Sequence, residues 1–168
     1  NVESNFMNNV DYDYCFKKGI HVIATSPVFS KPVAEIALGM TLSLLRNIHN
    51  AHFDFIKSKE KYGLESNLNA TLLSEKKIGL IGFGDLAKSL YPLILPFTKD
   101  INVYDPWVPK KIIQKLGFKN VSLNQMFKNC EIIYVLAAVT KKNKNLIDKK
   151  LLDKMKSNSL FILMSRAA

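Results

Sequence analysis

Ile78-Gly79-Leu80-Ile81-Gly82-Phe83-Gly84-Asp85-Leu86-Ala87 is the stretch whose reading decides the fold. A short apolar run, Ile78 to Ile81, reads as a buried strand. It passes into G-x-G-x-x-A, and a helix is expected from about Asp85. Gly82 permits the tight turn, Gly84 leaves room for a ligand against the backbone, and Ala87 keeps helix and strand close. The unpaired N–H groups at the head of such a helix attract phosphate. A second strand, Ile101 to Tyr104, ends in Asp105, 21 positions after Gly84. A carboxylate there accepts hydrogen bonds from ribose hydroxyls and repels a 2′-phosphate. The pattern therefore predicts a dinucleotide site that takes NAD in preference to NADP.

Outward from this stretch, the strand–helix alternation continues. Helices are predicted at 108–116, 122–128 and 148–155, and strands at 132–136 and 160–164. Short apolar strands alternating with helices imply an α/β, Rossmann-type doubly wound parallel sheet covered on both faces. Upstream, residues 1–32 read as loop, short strand (Ile20 to Ala24) and turn. A long helix is expected from Val33 to between Phe55 and Lys59, with Pro32 in its first turn. Its apolar residues fall on more than one face, so it should be covered on two sides. The polar stretch Lys61 to Asn69 is the linker candidate. Pro92 falls inside a predicted helix, where it should cost about 3 kcal/mol or a kink.

Composition narrows the function classes. The chain has 168 residues, 48% hydrophobic and 23% charged, enough to bury a core and too apolar for a disordered tail. No contiguous apolar run approaches the roughly 18 residues of a bilayer crossing, and no signal peptide is legible at Asn1, so no membrane partner is expected. The chain reads as cut at both ends. Cys15 and Cys130 have no metal-type spacing and read as reduced thiols in a cytoplasmic protein. The net charge of +10 comes almost wholly from Lys. Nucleic-acid readers rely on Arg for bidentate contacts, so no nucleic-acid partner is expected, and Lys141 to Lys156 reads as a solvated helical face. Only Arg46 and Arg166 are arginines.

Taken together and in order, these motifs resemble the D-isomer-specific 2-hydroxyacid dehydrogenases. Asn9-Val10-Asp11 through Gly19-Ile20 is similar to the end of that family's substrate domain. Pro32 to Glu35 through Leu45-Arg46 resembles its interdomain helix, and Ile78 to Gly84 its cofactor fingerprint. Val103-Tyr104-Asp105-Pro106 resembles its ribose-binding strand end. Thr140, Asn143 and Leu146-Ile147 match the stretch after the adenine-side strand, and Ser165-Arg166 the strand end bearing its substrate-binding arginine. The resemblance implies three segments: 1–32, the end of a flavodoxin-like substrate domain; 33–75, the interdomain helix and linker; and 76–168, the NAD-binding domain.

It also implies a hydride transfer between NAD(H) and a small 2-hydroxy or 2-keto acid. Arg166 would clamp the substrate carboxylate and act in catalysis, and Ser4 and Asn5 would help bind the substrate. Gly82, Gly84, Asp85, Leu86, Asp105, Ala137, Ala138, Asn143, Met164, Ser165 and Arg166 would line the cofactor site, which holds no metal. A Glu and a His are expected downstream of Arg166, so residues 1–168 should bind NAD without turning substrate over. His21 reads as a strand residue and His49 and His52 as residues of the long helix; none reads as a general acid. The family's pairing implies a homodimer through the 33–57 helix. The alternative is an NAD-responsive binding or corepressor-type protein on the same scaffold. Ala138 stands where the family has Pro, Ala167 where it has Gly. Asp85 puts a negative side chain beside the expected phosphate, or caps the helix.

Overall fold

The computed structural model describes residues 10–140 and 143–165. Within them, helices α1 (Tyr12–Lys17), α2 (Ser26–Leu45), α3 (Ile48–Ile56) and α4 (Leu64–Asn67) precede the sheet. The alternation then runs β1 (Ile78–Ile81), α5 (Asp85–Ile94), β2 (Ile101–Tyr104), α6 (Lys110–Lys115), β3 (Lys119–Asn120), α7 (Leu123–Asn129), β4 (Ile132–Val135), α8 (Lys149–Leu152) and β5 (Leu160–Leu163). The strands are all parallel, in the order β3-β2-β1-β4-β5. The order reverses between β1 and β4, the switch point where doubly wound sheets open a crevice.

Alternation along the strands sorts the core into two layers. Ile78 and Leu80 of β1, Ile101 and Val103 of β2, and Ile132 and Tyr134 of β4 bury one face with α2 and α5. Ile81, Ile133 and Val135 bury the other with Met126, Phe127 and Cys130. Gly79 is what lets α7 lie so close: a Cβ there would stand 2.7 Å from Met126 Cγ. Helix α7 starts where a capping box closes, with Ser122 Oγ accepting from the Gln125 N–H and Gln125 Oε1 from the Ser122 N–H. Burial pushes the Cys130 thiol up to about 12, so it packs as an inert hydrophobe.

Upstream of the sheet, several expectations need correction. Tyr12–Lys17 is helical, its first turn held by Asp11 accepting from the Tyr14 N–H at 2.9 Å. The β-prone run Ile20 to Ala24 makes no strand; only Ala24 forms an isolated bridge, and His21 lies outside any strand. A strand needs a neighbouring strand to satisfy its backbone, which composition cannot provide. Helix α2 begins at Ser26, so Pro27 occupies its first turn and Pro32 lies inside it. The single long helix is two: Asn47, at φ +55°, breaks it and starts α3. Asn tolerates the left-handed region that most residues avoid. The linker candidate is also partly ordered, with α4 inside it, and Thr71 N–H reaching the Leu45 carbonyl.

With 20 residues and only Lys31 and Glu35 charged, α2 is long and apolar enough to cross a membrane by length and composition, contrary to the reading of contiguous apolar runs. Its stripe Ser30, Ala34, Ala37, Thr41 and Leu45 is nevertheless buried, packed against α5 and the sheet. Pro92 does sit inside α5, on the exposed side. The Lys88 carbonyl it leaves without a helical partner belongs to an exposed residue, on the side of α5 that faces solvent. Lys144, Lys149, Lys150, Lys154 and Lys156 are exposed, as expected of a solvated face, but the helix there is only the short α8.

One buried polar contact ties α2 to the sheet. Thr41 Oγ1 donates to the Ala37 carbonyl at 2.8 Å and lies 2.6 Å from the Tyr134 hydroxyl. With the Thr41 proton committed, the Tyr134 O–H must be the donor. Thr41→Val therefore strands a buried hydroxyl and should cost about 1–3 kcal/mol, whereas Tyr134→Phe loses only a net hydrogen bond of about 1 kcal/mol. Denaturant unfolding of both variants checks the order; a reversed order would mean the proton runs the other way. Burial also pushes the Tyr134 phenol up to about 12. Folding thus favours the neutral phenol, and its contribution to stability is whole below pH ~10 and lost as pH rises toward 12. Tyr134→Phe should lose less stability than the parent over that range.

Candidate functional site

Strands β1, β2, β4 and β5 all end on one edge of the sheet, and the residues expected to hold a dinucleotide follow those ends. Gly82 continues from β1, its N–H donating to the Tyr104 carbonyl at 2.9 Å. Its φ is +93°, and a Cβ would stand 2.8 Å from both N and Cα of Ala137. Conformation and space both demand glycine here. Gly84 has φ −85°, which any residue adopts, so its glycine answers a different need. Apart from its two chain neighbours, nothing lies within 4 Å of where its Cβ would be. It is exposed and precedes the first residue of α5, leaving open the approach to unpaired amides that a pyrophosphate requires.

Asp105 stands just past β2 and binds the turn directly. Oδ2 accepts from the Phe83 N–H at 2.7 Å, and Oδ1 accepts from the N–H groups of Trp107 and Val108 at 2.7 and 2.9 Å. One carboxylate thus joins the glycine turn to the loop after β2. A carboxylate offers about four acceptor positions, so one on Oδ2 remains for a ligand hydroxyl. Beside it, an open cleft of about 570 Å³ is lined by Asp105, Trp107, Lys110, Asn120, Ser122 and Gln125 among others. Reading the sequence placed Asp105 here but missed the rest of this wall. Its signal is the Asp-Pro-x-x-Pro turn at 105–109, which folds the β2 loop back toward β3.

Asp85 is the first residue of α5 and does not cap it; Gly84 holds the cap position without a side-chain bond. The Asp85 carboxylate instead accepts from Ser26 Oγ at 3.1 Å, a contact invisible to local sequence reading. Leu86, in the first turn of α5 at the same edge, is half-buried with its side chain against the core. On the other side of the switch point, the Ala137 carbonyl accepts from Ser165 Oγ at 2.6 Å. Asn143 Nδ2 donates to the Ala138 carbonyl at 2.7 Å, and its Oδ1 accepts from the Thr140 N–H at 2.6 Å. Met164 N–H donates to the Val135 carbonyl at 3.0 Å, holding the end of β5 against β4. The structure therefore gathers Gly82, Gly84, Asp85, Asp105, Ala137, Ala138, Asn143, Met164 and Ser165 along one edge. Ser4, Asn5 and Arg166 lie outside the described residues. No group of three or more His, Cys, Asp or Glu suited to a metal occurs among the described residues.

Comparison with known proteins agrees with this geometry. Residues 38–168 match the family model described as D-isomer specific 2-hydroxyacid dehydrogenase, NAD binding domain. Among solved structures, a phosphoglycerate oxidoreductase from Rhizobium etli is 38% identical with a TM-score of 0.85, the match covering 99% of this chain and 53% of that one. An NAD-dependent formate dehydrogenase from Staphylococcus aureus, solved in complex with NAD, is 28% identical with a TM-score of 0.74, covering 97% of this chain and 49% of that one. Hydroxypyruvate reductase of Thermotoga maritima is 29% identical over 160 residues, 95% of this chain and 50% of its own length. The chain thus spans about half the length of these relatives. With a five-stranded parallel sheet in Rossmann order, a glycine turn at its switch point and a model match over most of its length, the chain belongs to the D-isomer specific 2-hydroxyacid dehydrogenase family, as an NAD-binding domain.

Proposed function

We propose that this chain is the cofactor half of an NAD-dependent dehydrogenase acting on a small 2-hydroxy or 2-keto acid. The observation that carries the reading is the Asp105 carboxylate tied to the glycine turn beside an open helix head. Bound NAD supplies the hydride acceptor or, reduced, the donor. The chain's own residues do the holding. Amides at the head of α5 take the pyrophosphate, and Asp105 takes a ribose hydroxyl. Gly82 keeps the turn pressed against Ala137. Arg166, next in sequence after Ser165, clamps the substrate carboxylate bidentately, as Lys cannot. Ser4 and Asn5 complete the substrate site, and Ala137, Ala138, Asn143, Met164 and Ser165 line the nicotinamide side. The names of the relatives, reductases and dehydrogenases, support an enzyme over an NAD-responsive binding protein.

The proton at the substrate oxygen is assigned to a His–Glu pair outside residues 1–168. Helix α2 starts beside Asp85 and runs 20 residues away, about 30 Å, before α3 begins, which places His49 and His52 far from the carboxyl edge. The segments 1–32, 33–75 and 76–168 are read as substrate-domain end, interdomain portion and cofactor domain. Both cysteines are free, and a cytoplasmic setting belongs to the same reading. A homodimer through α2 and α3 is supported by Ile36, Met40 and Leu44, spaced four apart on one face and 56%, 44% and 43% exposed.

Asp105→Ala should weaken NAD about 10–100-fold, the loss of a hydrogen bond to a charged group, and narrow the preference over NADP. Calorimetric titration checks this, and tighter NADP binding by the parent would overturn the ribose assignment. Residues 1–168 alone should bind NAD yet leave NADH unoxidised with glyoxylate, hydroxypyruvate or pyruvate. Oxidation by that chain would place the proton donor inside it. The full-length protein should sediment as a dimer at micromolar concentration and Met40→Glu as a monomer; a monomeric parent sinks the pairing.

A further inference from the structure

The head of α5 carries a feature at odds with holding a phosphate. Asp85, whose amide is one of those left open, also bears a carboxylate at the same point of the chain. A negative side chain there stabilises the free helix by complementing its dipole. It therefore competes with any anion for the same positive helix end. It accepts a hydrogen bond from Ser26 Oγ, at the first residue of α2. One turn further along, the Ser89 hydroxyl donates to Ser30 Oγ at 2.9 Å, while Ser30 donates to the Pro27 carbonyl at 2.8 Å. These bonds fix the start of α2 against the start of α5. The Asp85 carboxylate is thereby held toward the first residue of α2.

We propose that Asp85 is an affinity-setting residue of the cofactor site, and that Ser26 positions it, so that the seating of the α2 N-terminus controls how tightly a dinucleotide is held. The inference rests on the NAD reading above. When α2 is seated, Ser26 draws the carboxylate aside and the amides of α5 are available to a pyrophosphate. When the segment leading into α2 shifts, Asp85 is released to repel the pyrophosphate. Cofactor binding and the placement of residues 10–25 are then linked, each favouring the other. Asp85 restrains affinity in the seated state as well, because the repulsion between a carboxylate and a pyrophosphate falls only slowly with distance.

The test is calorimetric titration of the full-length protein with NAD, with ADP-ribose, and with adenosine, which has no phosphate. Asp85→Asn should tighten NAD and ADP-ribose about three- to tenfold and leave adenosine unchanged. The gain should shrink as salt rises from about 50 mM to about 500 mM. Ser26→Ala should weaken NAD two- to fivefold, roughly, in the parent and have no effect in the Asp85→Asn background, the signature of a residue acting through another. An unchanged NAD affinity in Asp85→Asn, an equal gain for adenosine, or a Ser26→Ala loss that survives in the double variant would each overturn the proposal. If the parent and Asp85→Asn both fail to bind NAD or ADP-ribose, the cofactor reading itself falls, which separates the two failures.

Discussion

The end of β1 passes so close to the segment leaving β4 that no side chain fits between them, and the carboxyl edge is organised around that contact. Gly82 has the Ala137 backbone on one side, while its N–H reaches the Tyr104 carbonyl on the other. The Leu136 N–H in turn reaches the Ile81 carbonyl. The turn is thus bonded to both neighbouring strands at the point where the strand order reverses. An added methyl would have to displace backbone, and backbone in a packed sheet does not yield cheaply. Because this contact holds, Gly84 and the head of α5 project into the crevice, and Asp105 stands within 2.7 Å of the Phe83 N–H.

A second constraint is the contact between α2 and α5. The face α2 turns inward carries small residues, Ser30, Ala34, Ala37 and Thr41, all buried. Small side chains let the two helices approach, and the polar ones among them find partners across the contact or in their own helix. Ser26 bonds Asp85 at the edge of the sheet, Ser89 bonds Ser30 one turn in, and Thr41 meets Tyr134 in the middle. Polar pairs in an apolar contact contribute modest net stability but penalise a shifted register, since each slip leaves a hydroxyl unsatisfied. The helix is therefore held at one register relative to the site it serves.

Charge is distributed in keeping with this division of labour. Among the described residues, Lys76 pairs with Glu131, and Lys77 and Lys119 pair with Asp100, all about the amino ends of the strands. At the opposite edge the turn region presents two carboxylates, Asp85 and Asp105. The backbone amides at the head of α5 act at short range and demand a well-placed turn. A net charge of +10 gives the chain long-range attraction for anions.

Sequence alone determined the βαβ alternation, because its central strands β1 and β4 are buried on both faces and read as short apolar runs between turn residues. It determined the glycine turn and Asp105 as well, since a two-residue spacing of glycines and an acid at the next strand end are local chemistry. The strand order and the shared edge of the sheet follow from handedness rules acting on that alternation. What tertiary structure decided is everything that needs a partner distant in the chain. Ile20 to Ala24 has strand composition and no strand beside it, so it forms no strand. The apolar periodicity of residues 33–57 runs straight through Asn47, where one left-handed residue divides the helix. Lys119–Asn120 is a strand only because β2 lies alongside it. Asp85, read as phosphate neighbour or helix cap, is bonded to a serine 59 residues away, because packing of α2 on α5 brings together two hydroxyl- and carboxylate-bearing ends that no local pattern connects.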